Sequence, residues 1–257
     1  AAAANVDACG NAAARIEAIV DRPPPVPEPA EPAPLLPGDL ELRGVRFRYA
    51  DPAPWLLDGV DLRLRPGRAV ALIGPSGAGK STIAELAVRF RDPTAGSVRL
   101  GGVDIRQAGG DAVRRAVRLS PQDAYIFTTT LRDNVAIGRA GAGDDEIRAA
   151  LAAVGLGPWL DSLPHGLETE VGEAGAMVSG GQRQRIAAAR LLLAEAHFLI
   201  FDEPTAHLDP AAAAALQRRL AGLARGGPGV LVITHEAHDL TPFDEVLTLR
   251  NGRLRSP

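Results

Sequence analysis

Apolar positions change period several times along this chain. Over residues 1–20, Val6, Cys9, Ala13, Ile16 and Val20 recur three and four apart, one apolar stripe of a helix. Residues 22–38 hold eight prolines, which exclude a helix and predict a stiff extended linker. From Leu40 to Tyr49 the positions Leu40, Leu42, Val45, Phe47 and Tyr49 roughly alternate, the period of a strand. Short, nearly continuous apolar runs follow at 69–73, 116–119, 197–201, 230–234 and 246–249, each the length of a buried strand. Helical patterns occupy 80–89, 144–154, 182–193 and 211–224. Strands alternating with helices predict an α/β domain, a mostly parallel sheet with helices on both faces. No internal repeat is visible. The helix and linker therefore lead into a domain that starts near Asp39.

Composition narrows the function. Hydrophobic residues make up 46% and charged residues 23%, ordinary values for a globular protein. The net charge of −3 and the lack of a basic block argue against a nucleic-acid partner. The single Cys9 excludes an internal disulfide framework and fits a packing residue on the helix stripe. No run of about 18 apolar residues is present. The first residue is alanine, and the natural start is expected upstream. One feature is sharper: of 28 basic residues, lysine occurs once, at Lys80. Drift toward arginine explains why lysine is rare but not where the survivor sits.

Lys80 closes Gly74-Pro75-Ser76-Gly77-Ala78-Gly79-Lys80-Ser81, a G-x-x-x-x-G-K-S match to the Walker A loop, between an expected strand and an expected helix. Its glycines let backbone N–H groups turn in around an anion, and the helix N-terminus adds partial positive charge. Lys80 is expected to reach the β- and γ-phosphates of a nucleotide and Ser81 to ligate Mg²⁺. A compact ammonium suits that task better than a planar guanidinium. The run 198–201 ends in Asp202-Glu203, at the strand end where open α/β sheets bind ligands. Asp202 is placed to hold Mg²⁺ through water, and Glu203 to polarise an attacking water as general base. Acids after an apolar run are common on solvated strand ends, so the loop gives this pair its meaning. Ser179 and Gln182 form an S-x-x-Q capping box. Gly180 and Gly181 between them expose the first N–H groups of that helix to a second anion contact.

Val178-Ser179-Gly180-Gly181-Gln182, followed by Arg183-Gln184-Arg185-Ile186, closely resembles the LSGGQ signature of ABC ATPases, with Val178 in place of the usual leucine. Other motifs of that family then match in order. Tyr49 matches the aromatic that stacks on adenine. Gln122, in Ser120-Pro121-Gln122, matches the glutamine that senses Mg²⁺ and the membrane domain. His207-Leu208-Asp209 matches the D-loop, and His235, after Ile233-Thr234, the switch histidine at the γ-phosphate. The resemblance covers about 39–257. It implies a RecA-like core, an antiparallel β subdomain and an inserted helical subdomain at about 123–190. It implies ATP and Mg²⁺ as ligands, with Thr82 beside Ser81 on the nucleotide. It also implies a second cassette as partner, with each ATP between Lys80 of one chain and residues 179–182 of the other.

The separation of 122 residues between Lys80 and Asp202 leaves no room for the long coiled coil of a chromosome or repair ATPase. A translation-factor ABC protein would carry two cassettes, and an importer subunit normally begins at its cassette. Here a helix and linker precede it, as if a transmembrane domain of the same polypeptide lay upstream. Thr169-Glu170-Val171-Gly172-Glu173 also resembles the exporter pattern T-x-V-G-E. An exporter implies a place on the cytoplasmic face of a bacterial inner membrane. Residues 130–134, 203–209 and 234–252 look most like the CydC/CydD thiol exporter of cytochrome bd assembly. A lipid or multidrug exporter and a soluble regulatory ATPase remain the alternatives.

Overall fold

The computed structural model describes residues 26–172, 178–206, 208–235 and 239–255. The helix expected over 1–20 with Cys9, and the motif residues Glu173 and His207, lie outside the described residues.

The core is a six-stranded sheet in the order β10-β9-β3-β8-β7-β6. Its strands are β3 (Ala69–Ile73), β6 (Val117–Ser120), β7 (Phe198–Asp202), β8 (Gly229–Thr234), β9 (Glu245–Arg250) and β10 (Arg253–Arg255). Five run parallel, and β10 is antiparallel to β9 at the edge. Strands β3, β7 and β8 in the middle of the sheet are covered on both faces, which is why they read as continuous apolar runs rather than as alternation. Val70, Leu72, Phe198, Ile200, Leu231 and Ile233 point to one buried cluster. Ala71, Leu199, Phe201, Val230 and Val232 point to the other. Each fully buried Leu, Ile, Val or Phe in such a layer contributes about 1.5–3 kcal/mol.

The first cluster is closed by a second, antiparallel sheet in the order β2-β1-β4-β5. It consists of β1 (Leu40–Phe47), β2 (Leu57–Leu64), β4 (Ala95–Leu100) and β5 (Val103–Asp104). Helix α1 (Lys80–Ala87) packs in the same layer, with Ile83, Ala84 and Leu86 fully buried. The second cluster is closed by helices α3 (Leu131–Ala136), α4 (Asp144–Ala153), α5 (Gly157–Asp161), α6 (Gly180–Leu193) and α7 (Pro210–Leu223). Of these, α3 to α6 fall between β6 and β7, and α2 (Gly110–Ala116) precedes β6. The α/β reading and the mixed sheets agree with the sequence. Strands β2 and β4 were not expected. In β1 and β2, Gly44 and Gly59 take positive φ, and the β1–β2 register shifts between Leu42 and Val45, which breaks the alternation that would mark the pair.

Residues 26–38 carry neither helix nor strand, but they do not stand free. The Ala33 N–H donates to the Gln107 carbonyl at 2.7 Å, and Leu35 packs against the first cluster.

Candidate nucleotide site

The loop 74–79 joins β3 to α1 at the carboxyl end of the sheet, and three glycines let it turn there. Gly74 lies so close to β9 that a Cβ would stand 2.5 Å from the Leu249 carbonyl oxygen. Gly79, at φ +101°, is the N-cap of α1, a left-handed geometry that favours glycine. No side chain caps α1 and no acid lies in its first turn, so its leading N–H groups are left to an anion. Pro75, Ser76 and Gly77 are exposed and Ala78 half-buried at the rim. Lys80 is buried, and its ammonium donates to the carbonyls of Gly74 at 2.9 Å and Pro75 at 3.1 Å.

The ends of β7 and β8 supply the other groups. Glu203 is buried, at φ +50°, a left-handed backbone that costs a non-glycine residue about 1–2 kcal/mol. That bend aims its carboxylate between two partners. Oε1 lies 3.7 Å from Lys80 Nζ, and Oε2 lies 2.8 Å from His235 Nδ1. The His235 main-chain N–H also donates to Oε2, at 3.3 Å. Glu203, Lys80 and His235 are therefore one assembly drawn from three strand ends.

Asp202 lies next to it. Burial pushes its carboxyl above the usual carboxylate range; the Ser81 hydroxyl, donating to it, opposes the rise, the Glu203 charge adds to it, and Lys80 opposes it. Its buried Oδ1 has no hydrogen-bond partner. An orphaned carboxylate oxygen beside a serine hydroxyl is a hard-oxygen pair that suits Mg²⁺, which takes one or two protein oxygens and completes its shell with phosphate and water. Among the described residues no cluster of three His, Cys, Asp or Glu could hold a metal by itself.

The remaining expected residues lie around this centre. Tyr49 is 59% exposed; its hydroxyl meets Thr82 Oγ1 at 2.9 Å, and its ring packs edge-on against Phe47. Arg91 lies over the Tyr49 ring at 4.9 Å and is paired with Glu85 at 2.7 Å, a contact with no signature in the sequence. Gln122 is exposed, on a cleft of about 580 Å³ shared with Gly180, Arg183 and Gln184; among the described residues no hydrogen bond joins it to Ser81 or Asp202. Asp209 caps α7, its Oδ1 accepting from Ala211 and Ala212 at 3.0 and 2.9 Å.

Residues 179–182 form the expected capping box. The Gln182 N–H donates to Ser179 Oγ at 3.1 Å, and the Ser179 N–H donates to Gln182 Oε1 at 2.8 Å. Gly180 and Gly181 open α6. Among the described residues no hydrogen bond or ion pair links 179–182 to the loop 74–82.

This arrangement of phosphate loop, acidic strand end and capped signature helix defines an ABC ATPase domain. The chain belongs to the ABC transporter family, whose model matches residues 57–206. It is 39% identical over 215 residues to ATP-binding cassette sub-family B member 6 of Mesocricetus auratus, covering 84% of this chain and 25% of that protein. It is 37% identical over 243 residues to the ATP-dependent lipid A-core flippase of Chromobacterium violaceum, covering 95% of this chain and 41% of that protein. A bacterial Atm1-family ABC exporter solved with ATP bound matches with a TM-score of 0.85 and 34% identity, over 95% of this chain and 42% of that one. The domain thus resembles the ATP-binding domain of an ABC exporter, and the chain spans between a quarter and about two fifths of the length of these relatives.

Proposed function

We propose that this chain is the ATP-hydrolysing motor of a membrane exporter and works in pairs, each ATP held between Lys80 of one chain and residues 179–182 of the next. The observation that carries this is the position of Glu203, a buried carboxylate fixed between Lys80 and His235 beside the phosphate loop. Lys80 exchanges its two loop carbonyls for β- and γ-phosphate oxygens, and the open N–H groups of α1 face the same phosphates. Tyr49 stacks on adenine, with Thr82 below it. Glu203 takes a proton from water as the water oxygen bonds to the γ-phosphorus. The bond from that phosphorus to the bridging oxygen breaks, leaving ADP and phosphate. His235 holds Glu203 in line and contacts the γ-phosphate. Mg²⁺, held by Ser81 and Asp202 and approached by Gln122, would neutralise phosphate charge. Asp209, already spent on its helix cap, orients the chain segment that faces the partner.

A chain with Glu203→Gln should bind ATP and fail to hydrolyse it, and so should shift to a dimer on a sizing column with ATP but not with ADP. Adding Ser179→Arg should abolish the shift. A double variant that still dimerises would sink the two-sided sandwich.

The finer reading is a transmembrane domain of the same polypeptide on a bacterial inner membrane. Residues 130–134, 203–209 and 234–252 support a thiol exporter of the CydC/CydD kind. The likeness to a lipid A-core flippase supports a lipid cargo as the second reading. Transport of cysteine or glutathione, against transport of lipid, by vesicles carrying the whole protein separates the two. A soluble regulatory ATPase predicts neither.

A further inference from the structure

Arg89 is a fully buried charge that the hydrolysis reaction does not use. It follows α1 by two residues and takes φ +56°, a left-handed conformation that favours glycine. Its side chain accounts for the exception. One guanidinium nitrogen donates to the Ala108 carbonyl and another to the Pro27 carbonyl, each at 2.5 Å. Glu28 stands 3.9 Å away, and Asp92, whose buried Oδ1 has no hydrogen-bond partner, 3.5 Å away. Glu28 in turn accepts the Gly110 N–H at the start of α2, at 2.9 and 3.1 Å. A Cβ at Gly110 would stand 2.6 Å from that carboxylate. Segment 26–33 is therefore strapped to the turn behind α1.

The same turn reaches the other way through Arg91, which lies over Tyr49. Tyr49 is hydrogen-bonded to Thr82, two residues beyond Lys80. One five-residue turn, 88–92, thus touches the strap with one arginine and the aromatic platform with another.

We infer that Arg89 and Arg91 are positioning residues that couple docking of the proline-rich strap to grip on the nucleotide base. This rests on the reading of Tyr49 as the adenine platform. A docked strap holds the turn, the turn holds Arg91 on Tyr49, and the platform is set for the base. By linkage, ATP must also tighten the strap. A change upstream of residue 26 then reaches the base without passing through the phosphate loop.

The test compares ATP with inorganic tripolyphosphate, which fills a phosphate loop but has no base, on the 257-residue chain with Mg²⁺. Glu28→Ala and Arg91→Ala should each weaken ATP about five- to tenfold, the low end of site-to-site coupling, and leave tripolyphosphate unchanged. Glu28 is 58% exposed, so its loss spares the fold even where Arg89→Lys does not. ATP, and not tripolyphosphate, should slow hydrogen exchange at the Ala33 and Gly110 amides. Equal losses for both ligands, which general destabilisation gives, or no loss for either, overturn the coupling. Tyr49→Ala separates the two readings. If it leaves ATP affinity unchanged, the platform fails and the coupling with it. If it weakens ATP alone while Glu28→Ala does not, the platform stands and only the coupling falls.

Discussion

Lys80, Glu203 and His235 come from three strand ends and meet only because β3, β7 and β8 lie side by side; Ser179 to Gln182 are four consecutive residues that cap one another. The first group is cross-linked before any ligand arrives: Glu203 is buried, bent to positive φ, and tied to both neighbours. The second group sits at a half-exposed helix start and is held by its own two reciprocal capping bonds and by bonds to the next turn of the same helix. The difference teaches where damage should spread. A change in the first group disturbs a shared electrostatic assembly, whereas a change in the second removes a local cap.

The largest expected effect is at Lys80. Lys80→Ala should abolish turnover in the assembled transporter, and Lys80→Arg should fail too, because a planar guanidinium does not replace a compact ammonium at a tight phosphate site. Near-normal phosphate release by either variant would refute the role. Glu203→Gln should follow, with turnover down by about 10²–10⁴ and ATP affinity preserved. A parallel loss of binding would show that Glu203 holds the loop together rather than serving as base.

Asp202 sharpens the comparison through pH. Its folded carboxyl titrates above the unfolded value because burial disfavours the charge. The folded state thus binds the proton more tightly, and the charge costs stability at neutral pH; that cost is relieved as pH falls through the folded pKa toward the unfolded value near 3.9. Asp202→Asn should remove this dependence and raise the neutral-pH Tm, by about 2–4 °C for each kcal/mol recovered, while losing the Mg²⁺-dependent part of ATP affinity. A lower Tm in a calorimeter would contradict it. Ser179→Ala should do least to the isolated chain, costing about 1 kcal/mol of helix capping, with nucleotide binding to its own loop unchanged in titration calorimetry.

The same contrast explains what the sequence reveals. The capping box and phosphate loop are local patterns, and Gly79, Ser179 and Gln182 carry their geometry in their residue types. The buried strands were legible because a sheet covered on both faces must be apolar throughout. Strands β2 and β4 were not, since Gly59 and the shifted register interrupt the alternation in β2, and in β4 only Val98 and Leu100 alternate after Gly96. The bent backbone at Glu203 and the Arg91 contact with Tyr49 were hidden for another reason. Each depends on neighbours distant in the chain, and neither leaves a spacing to read.

The burial of Lys80 has one more consequence, for labelling chemistry. An amine-directed reagent meets a single ε-amino group in the whole chain, folded beneath the Gly74 and Pro75 carbonyls. Acylation of that amine would report occupancy of the phosphate loop from total lysine label alone, with no mapping of sites. The rest of the surface offers no side-chain amine to acetylate, cross-link or conjugate.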